Sequence, residues 1–200
     1  MIVVCLSSKH LFDAVCAAGG KPLKTSFYAA FDRKFARPVI SVRAEGQLKS
    51  KAVYFLPWKV ASDDSILRQS IKSFVSNAVT TASSHGYRSI AFSAIGCGQL
   101  KCSASLVAQT MVEEAYNSSQ KQNLSIVFVI QPPKADVYDE FQTQIRLRGD
   151  FNALCAPVKA ISVPIHKGVI EVEMGDITKQ KVYVQILLSY NLDHFSLPIG

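Results

Sequence analysis

Residues 89–107 read SIAFSAIGCGQLKCSASLV, and the reading of this stretch decides the fold. Ser89 to Ile95 is a short apolar run that predicts a strand. Gly96-Cys97-Gly98-Gln99-Leu100 is a turn with two glycines. Ser103 or Ser105 can then cap a helix with Leu106, Val107, Met111, Val112 and Ala115 on its apolar side. In α/β proteins, a strand that enters a helix through a glycine turn is where phosphates are held. Glycine permits positive φ, and the backbone N–H groups can then converge on an anion. A plain tight turn has the same local pattern.

On the N-terminal side, Ile2 to Leu6 predicts a strand closed by Ser7-Ser8. Leu11, Phe12, Ala14, Val15 and Ala18 follow helical spacing, and Gly19-Gly20 ends that helix. Pro22 can open the next, with Leu23, Phe27, Ala30 and Phe31 on one face. Pro38–Arg43 and Lys51–Leu56 predict two strands joined by a turn at Glu45-Gly46, and Pro57-Trp58 takes the chain out of the sheet. Ser62, Asp63 or Asp64 can cap a helix whose stripe runs from Ile66 to Ala82 and stops at Gly86.

On the C-terminal side, Leu124–Ile130 is a continuous apolar run, the pattern of a strand buried on both faces. Pro132-Pro133 breaks it, and Val137, Tyr138, Phe141 and Ile145 mark a helix. Alternation of strand and helix predicts an α/β sheet covered on both faces. Residues 148–165 are less regular and predict a linker. A β-rich piece follows at Gly168–Val172 and Val182–Leu188, with Gly-Asp-Ile-Thr at 175–178 between its two runs.

The formal net charge is +7 and it is uneven. Residues 1–100 carry 13 Lys/Arg against 5 Asp/Glu, and residues 101–200 carry 9 against 10. A basic half favours anionic partners, nucleotides or nucleic acid among them, although a solvated basic surface has the same composition. Five scattered cysteines do not make a disulfide framework and point to a reducing, intracellular compartment, nuclear or cytoplasmic. No metal spacing occurs among Cys97, Cys102 and the four histidines, and no cofactor is expected. No apolar run reaches membrane-spanning length. The P-loop and nucleophile-elbow motifs are absent.

Four stretches in order resemble the macrodomain family of ADP-ribose-binding modules: VVCLSS at 3–8, AVYFLPW at 52–58, SIAFSAIGCGQL at 89–100 and IVFVIQPPKADVYDEF at 126–141. The likeness covers residues 1–147 and implies a three-layer α/β/α fold with a mixed, mostly parallel central sheet. It implies a diphosphate site at Ile95, Gly96, Cys97, Gly98, Gln99 and Leu100, with Ser7 and Ser8 on the distal ribose side. Gln131 and Tyr138 fall on the adenine side, although the helical spacing of Tyr138 with Phe141 also fits core packing.

The family normally opens with a strand and a Gly-Asp-Ile-Thr segment whose Asp reads the adenine. Here that segment appears only at 175–178. The leading expectation is that residues 166–200 begin a second macrodomain, as in the tandem arrays of macrodomain-containing ADP-ribosyltransferases. The alternative is a permuted edge strand completing the first domain, with Asp176 serving the adenine.

The hydrolytic members resemble one another in a second Asn of the first loop and a following glycine run. Ser8 and His10-Leu11-Phe12-Asp13 stand there instead. Cys97, with no His within ten residues, reads as a backbone contributor and not a nucleophile. The expected function is therefore a non-catalytic module for ADP-ribose or ADP-ribosylated protein. The alternatives are a hydrolase with an atypical first loop, or a degenerate macrodomain serving as a protein or RNA scaffold.

Overall fold

The computed structural model describes residues 1–32, 39–122, 124–148, 160–165 and 168–179. In chain order the elements are β1 (Ile2–Cys5), α1 (Lys9–Asp32), β2 (Ile40–Arg43), β3 (Ala52–Leu56), α2 (Asp64–Ser84) and β4 (Ser89–Phe92). Then come α3 (Ala104–Ser119), β5 (Ser125–Ile130), α4 (Ala135–Arg146), β6 (Ala160–Ile165), β7 (Gly168–Met174) and a 3₁₀ turn at Ile177–Lys179.

The seven strands form one sheet in the order β2-β3-β1-β4-β5-β7-β6. The five central strands run parallel, and the edge strands β2 and β6 are antiparallel to their neighbours. This is the mixed, mostly parallel α/β sheet that the sequence predicts. One apolar layer lies between the sheet and α2, α3 and α4, including Tyr54, Ile71, Val75, Phe92, Val107, Phe128 and Phe141. The other lies beneath α1 and includes Ile2, Val4, Leu23, Phe27, Phe55 and Ile177.

Local chemistry places the helix boundaries. Gly20 (φ +68°, ψ −169°) interrupts the helical run of α1 at the expected break, two residues before Pro22. Asp63 caps α2 by accepting from the Ile66 N–H at 2.9 Å, and Ser103 caps α3 by accepting from Leu106 at 3.3 Å. Two apolar helix faces then close over a sheet whose central strands are buried on both sides. Among the described residues no helix is long and apolar enough to cross a membrane.

The C-terminal part differs from the expected linker. Residues 160–165 form β6, which pairs antiparallel with β7 along its full length. β7 in turn pairs with β5, from Ile126 opposite Ile170 to Ile130 opposite Met174. Ile170 and Val172 are buried in the larger core. Gly168 passes so close to β5 that a Cβ there would meet the Leu124 carbonyl oxygen at 2.5 Å. The rest of the expected linker (149–159), the expected strand at 182–188 and Cys155 lie outside the described residues. Cys5, Cys16, Cys97 and Cys102 are free thiols.

Candidate functional site

The chain leaves β1 to build α1, β2 and β3 on one side of that strand, then returns to place β4 and β5 on the other side. Such a reversal leaves a crevice at the carboxyl ends of the parallel strands. A cleft of about 180 Å³ lies there. All five parallel strands contribute to its lining through the segments that follow them: Ser7 and Ser8 after β1, Trp58 after β3, 93–100 after β4, Gln131 and Lys134 after β5, and Gly175 and Ile177 after β7. Pockets that enclose drug-sized ligands hold roughly 300–1,000 Å³. A nucleotide-sized ligand would therefore leave part of its surface outside this one.

The glycine turn forms one wall. Gly96 has φ +75°, and a Cβ there would lie 2.7 Å from Cys102 Sγ and 3.0 Å from Trp58 Cη2. The turn is closed by the Cys102 N–H donating to the Gly96 carbonyl (3.0 Å) and by Lys101 N–H donating to Gly98 (3.2 Å). Lys101, itself at φ +51°, makes the exit. The N–H groups of Cys97, Gly98, Gln99 and Leu100 have no acceptor among the described residues. Gly98 faces open space, with no atom within 4 Å of a Cβ placed on it. Gly96→Ala is accordingly expected to lower stability by about 2 kcal/mol or more, from positive φ plus the clash, as measured by urea unfolding.

Trp58 ties the walls together. Its indole N–H donates to Ser70 Oγ on α2 (3.1 Å), its carbonyl accepts from Ser7 Oγ, and its ring packs beneath Gly96. The carbonyl of Ser8 accepts from the Phe12 N–H (2.9 Å), so Ser8 leads directly into α1. Across the mouth, Gln99 Nε2 lies 2.9 Å from His10 Nε2, a bond in which the amide donates to an unprotonated ring nitrogen.

The electrostatics are one-sided. Among the described residues the lining holds one lysine, Lys134, and no carboxylate. Burial, with the neighbouring Cys102, pushes the Cys97 thiol up to about 12, so it stays protonated at neutral pH and is a poor nucleophile. Among the described residues no cluster of His, Cys, Asp and Glu could hold a metal ion.

Of the residues singled out in the sequence, Ser7, Ser8, Gln131 and all six from Ile95 to Leu100 line this cleft. Two do not. Tyr138 is buried in the core, and its hydroxyl has no partner among the described residues. Asp176 sits between the lining residues Gly175 and Ile177, but its Oδ1 accepts from the Thr178 N–H (2.9 Å) and hydroxyl (2.7 Å). Its Oδ2 lies 3.9 Å from Lys179 Nζ. Tyr138→Phe removes a buried unsatisfied hydroxyl and is expected to hold or raise stability by up to about 1 kcal/mol in thermal unfolding. Because Tyr138 does not line the cleft, ligand affinity is expected to stay unchanged. The sequence did not single out His10 or Lys134 as site residues. Each is a polar residue at a helix start, where periodicity carries no information.

Residues 31–111 match the family model for the Macro domain. The solved structures similar to this chain are macrodomains. A mutant of the Oceanobacillus iheyensis macrodomain aligns with a TM-score of 0.63 at 16% identity, covering 73% of this chain and 83% of that one. This chain has the macrodomain fold. The same bacterial macrodomain with ADP aligns at 0.59 and 14% identity, over 73% of this chain and 83% of that one. The Trypanosoma brucei macrodomain in complex with ADP-ribose aligns at 0.58 and 16% identity, over 71% of this chain and 61% of that one. No curated protein sequence matches the chain. The matched residues 31–111 hold β3, α2, β4 and the glycine turn, and so the floor and one wall of the cleft.

Proposed function

We propose that this chain binds ADP-ribose, free or attached to protein, with the diphosphate on the Gly96–Leu100 turn and the distal ribose beside Ser7 and Ser8. The observation that carries the reading is the turn itself. It stands at the carboxyl end of β4 with four unpaired N–H groups, in a cleft that has a lysine and no carboxylate among its described lining residues. The similar macrodomains solved with ADP and with ADP-ribose support the choice of ligand. Gln131, Gly175 and Ile177 supply the adenine side; Asp176 stands between the last two, with its carboxylate held by Thr178 and Lys179.

The module reads ADP-ribose and does not cleave it. A hydrolytic step needs a positioned base or nucleophile. In the cleft the thiol of Cys97 is held protonated, the His10 ring nitrogen is taken up by the Gln99 amide, no carboxylate is present among the described residues, and Ser8 cannot offer the amide of the hydrolytic members. Strands β6 and β7 belong to this same module, not to the start of a second. The support is the five-residue pairing of β7 with β5 and the burial of Ile170 and Val172. Calorimetric titration with ADP-ribose tests the reading, and incubation with an ADP-ribosylated protein tests the absence of turnover. Release of ADP-ribose at a steady rate would replace the reader with an enzyme.

A further inference from the structure

We infer that Lys134 is the side-chain cation that pairs with the diphosphate in this cleft. The inference rests on the ADP-ribose reading above and extends it to a residue that the glycine turn does not include.

The position is built for a fixed charge. β5 ends at Ile130, and the chain turns through Gln131-Pro132-Pro133-Lys134, closed by the Lys134 N–H donating to the Gln131 carbonyl at 2.9 Å. Two successive prolines fix φ near −65° and stiffen this turn. Lys134 then stands as the residue before α4, with no side chain capping the helix. Asp, Asn, Ser or Thr at that place would accept from the open N–H groups, whereas an ammonium cannot and sits unfavourably beside the positive end of the helix. A residue that works against its local structure is explained by a ligand that reverses the sign of the interaction.

The surroundings agree. Lys134 lines the cleft from the β5 side and makes no ion pair among the described residues. Cys97, in the middle of the glycine turn, lies within reach of the charges of Asp136, in the first turn of α4, and then of Lys134. Asp136 does not line the cleft. A phosphate on the turn would therefore have unpaired N–H groups on one side and an unpaired ammonium on the other.

The test compares wild type, Lys134→Gln, Lys134→Arg and Asp136→Asn by calorimetry with ADP-ribose and with inorganic pyrophosphate, at low and moderate salt. Lys134→Gln is expected to weaken both ligands by on the order of tenfold and to flatten the salt dependence, with an equal or slightly higher melting temperature. Lys134→Arg restores most of the affinity, and Asp136→Asn leaves it equal or slightly tighter. Affinity within twofold of wild type in Lys134→Gln, or an unchanged salt slope, overturns the inference. If the wild type binds pyrophosphate through Lys134 but not ADP-ribose, the inference stands and the ADP-ribose reading falls. If it binds neither, both fall.

Discussion

Gly98→Glu is expected to abolish ADP-ribose binding while leaving the fold intact. A Cβ on Gly98 meets nothing within 4 Å, and φ at this residue lies outside the left-handed region. The substitution therefore costs little stability, within about 0.5 kcal/mol as for other unencumbered surface positions. Its carboxylate, however, stands on the turn assigned to the diphosphate. Two like charges about 5 Å apart at an effective dielectric of about 20 repel by about 3 kcal/mol, which is on the order of a hundredfold in affinity. The contrast with Gly96 makes the experiment specific. Gly96→Ala damages the turn through backbone strain and contact with Cys102 and Trp58, whereas Gly98→Glu leaves the turn standing and changes its charge. Calorimetry and a melting curve on the same preparation separate the two effects. A Gly98→Glu variant that binds as wild type does would remove the diphosphate from this turn.

Val172→Asp has the largest expected effect on stability. Val172 is fully buried and sits opposite Phe128 in the β5–β7 register. A carboxylate there has no cation among the residues of the surrounding core, and an unpaired buried charge costs about 3–5 kcal/mol. Domains of this size have about 5–15 kcal/mol in total, so urea unfolding should show a large loss or no cooperative transition at all. The result bears directly on domain organisation. If residues 168–174 belonged to a separate module and hung free, the same change would be a surface substitution worth about 0.5 kcal/mol or less. Gly168→Val, which drives a side chain into the Leu124 carbonyl, should act in the same direction.

Much of the fold was legible because its signals are local. Hydrophobic spacing marked α2, the glycine pair marked the break in α1, and Asp63 and Ser103 were recognisable caps. The 89–107 stretch was legible for the same reason, since the change from strand to helix period falls at the two glycines. The place of β7 beside β5 was legible only as the alternative, a permuted edge strand, and β6 outside it was not legible. The alternation of β7 says that one face is buried but not against which strand, and the pairing joins residues more than forty positions apart. Strand β6 was missed because Pro164 lies within a short run that reads as irregular. In the cleft, the turn residues came from a motif, whereas Lys134 and His10 belong to helix starts and are joined to the site only by the topology of the sheet. Tyr138 shows the converse. Its place beside the last strand suggested a ligand contact, but its three-residue spacing to Phe141 puts it on the buried face of α4.

The most direct test is a calorimetric titration of the wild-type chain with ADP-ribose beside Gly98→Glu, each shown to be folded by its melting curve. The account predicts saturable one-to-one binding by the wild type and none by the variant. A folded wild-type protein that gives no binding would contradict it.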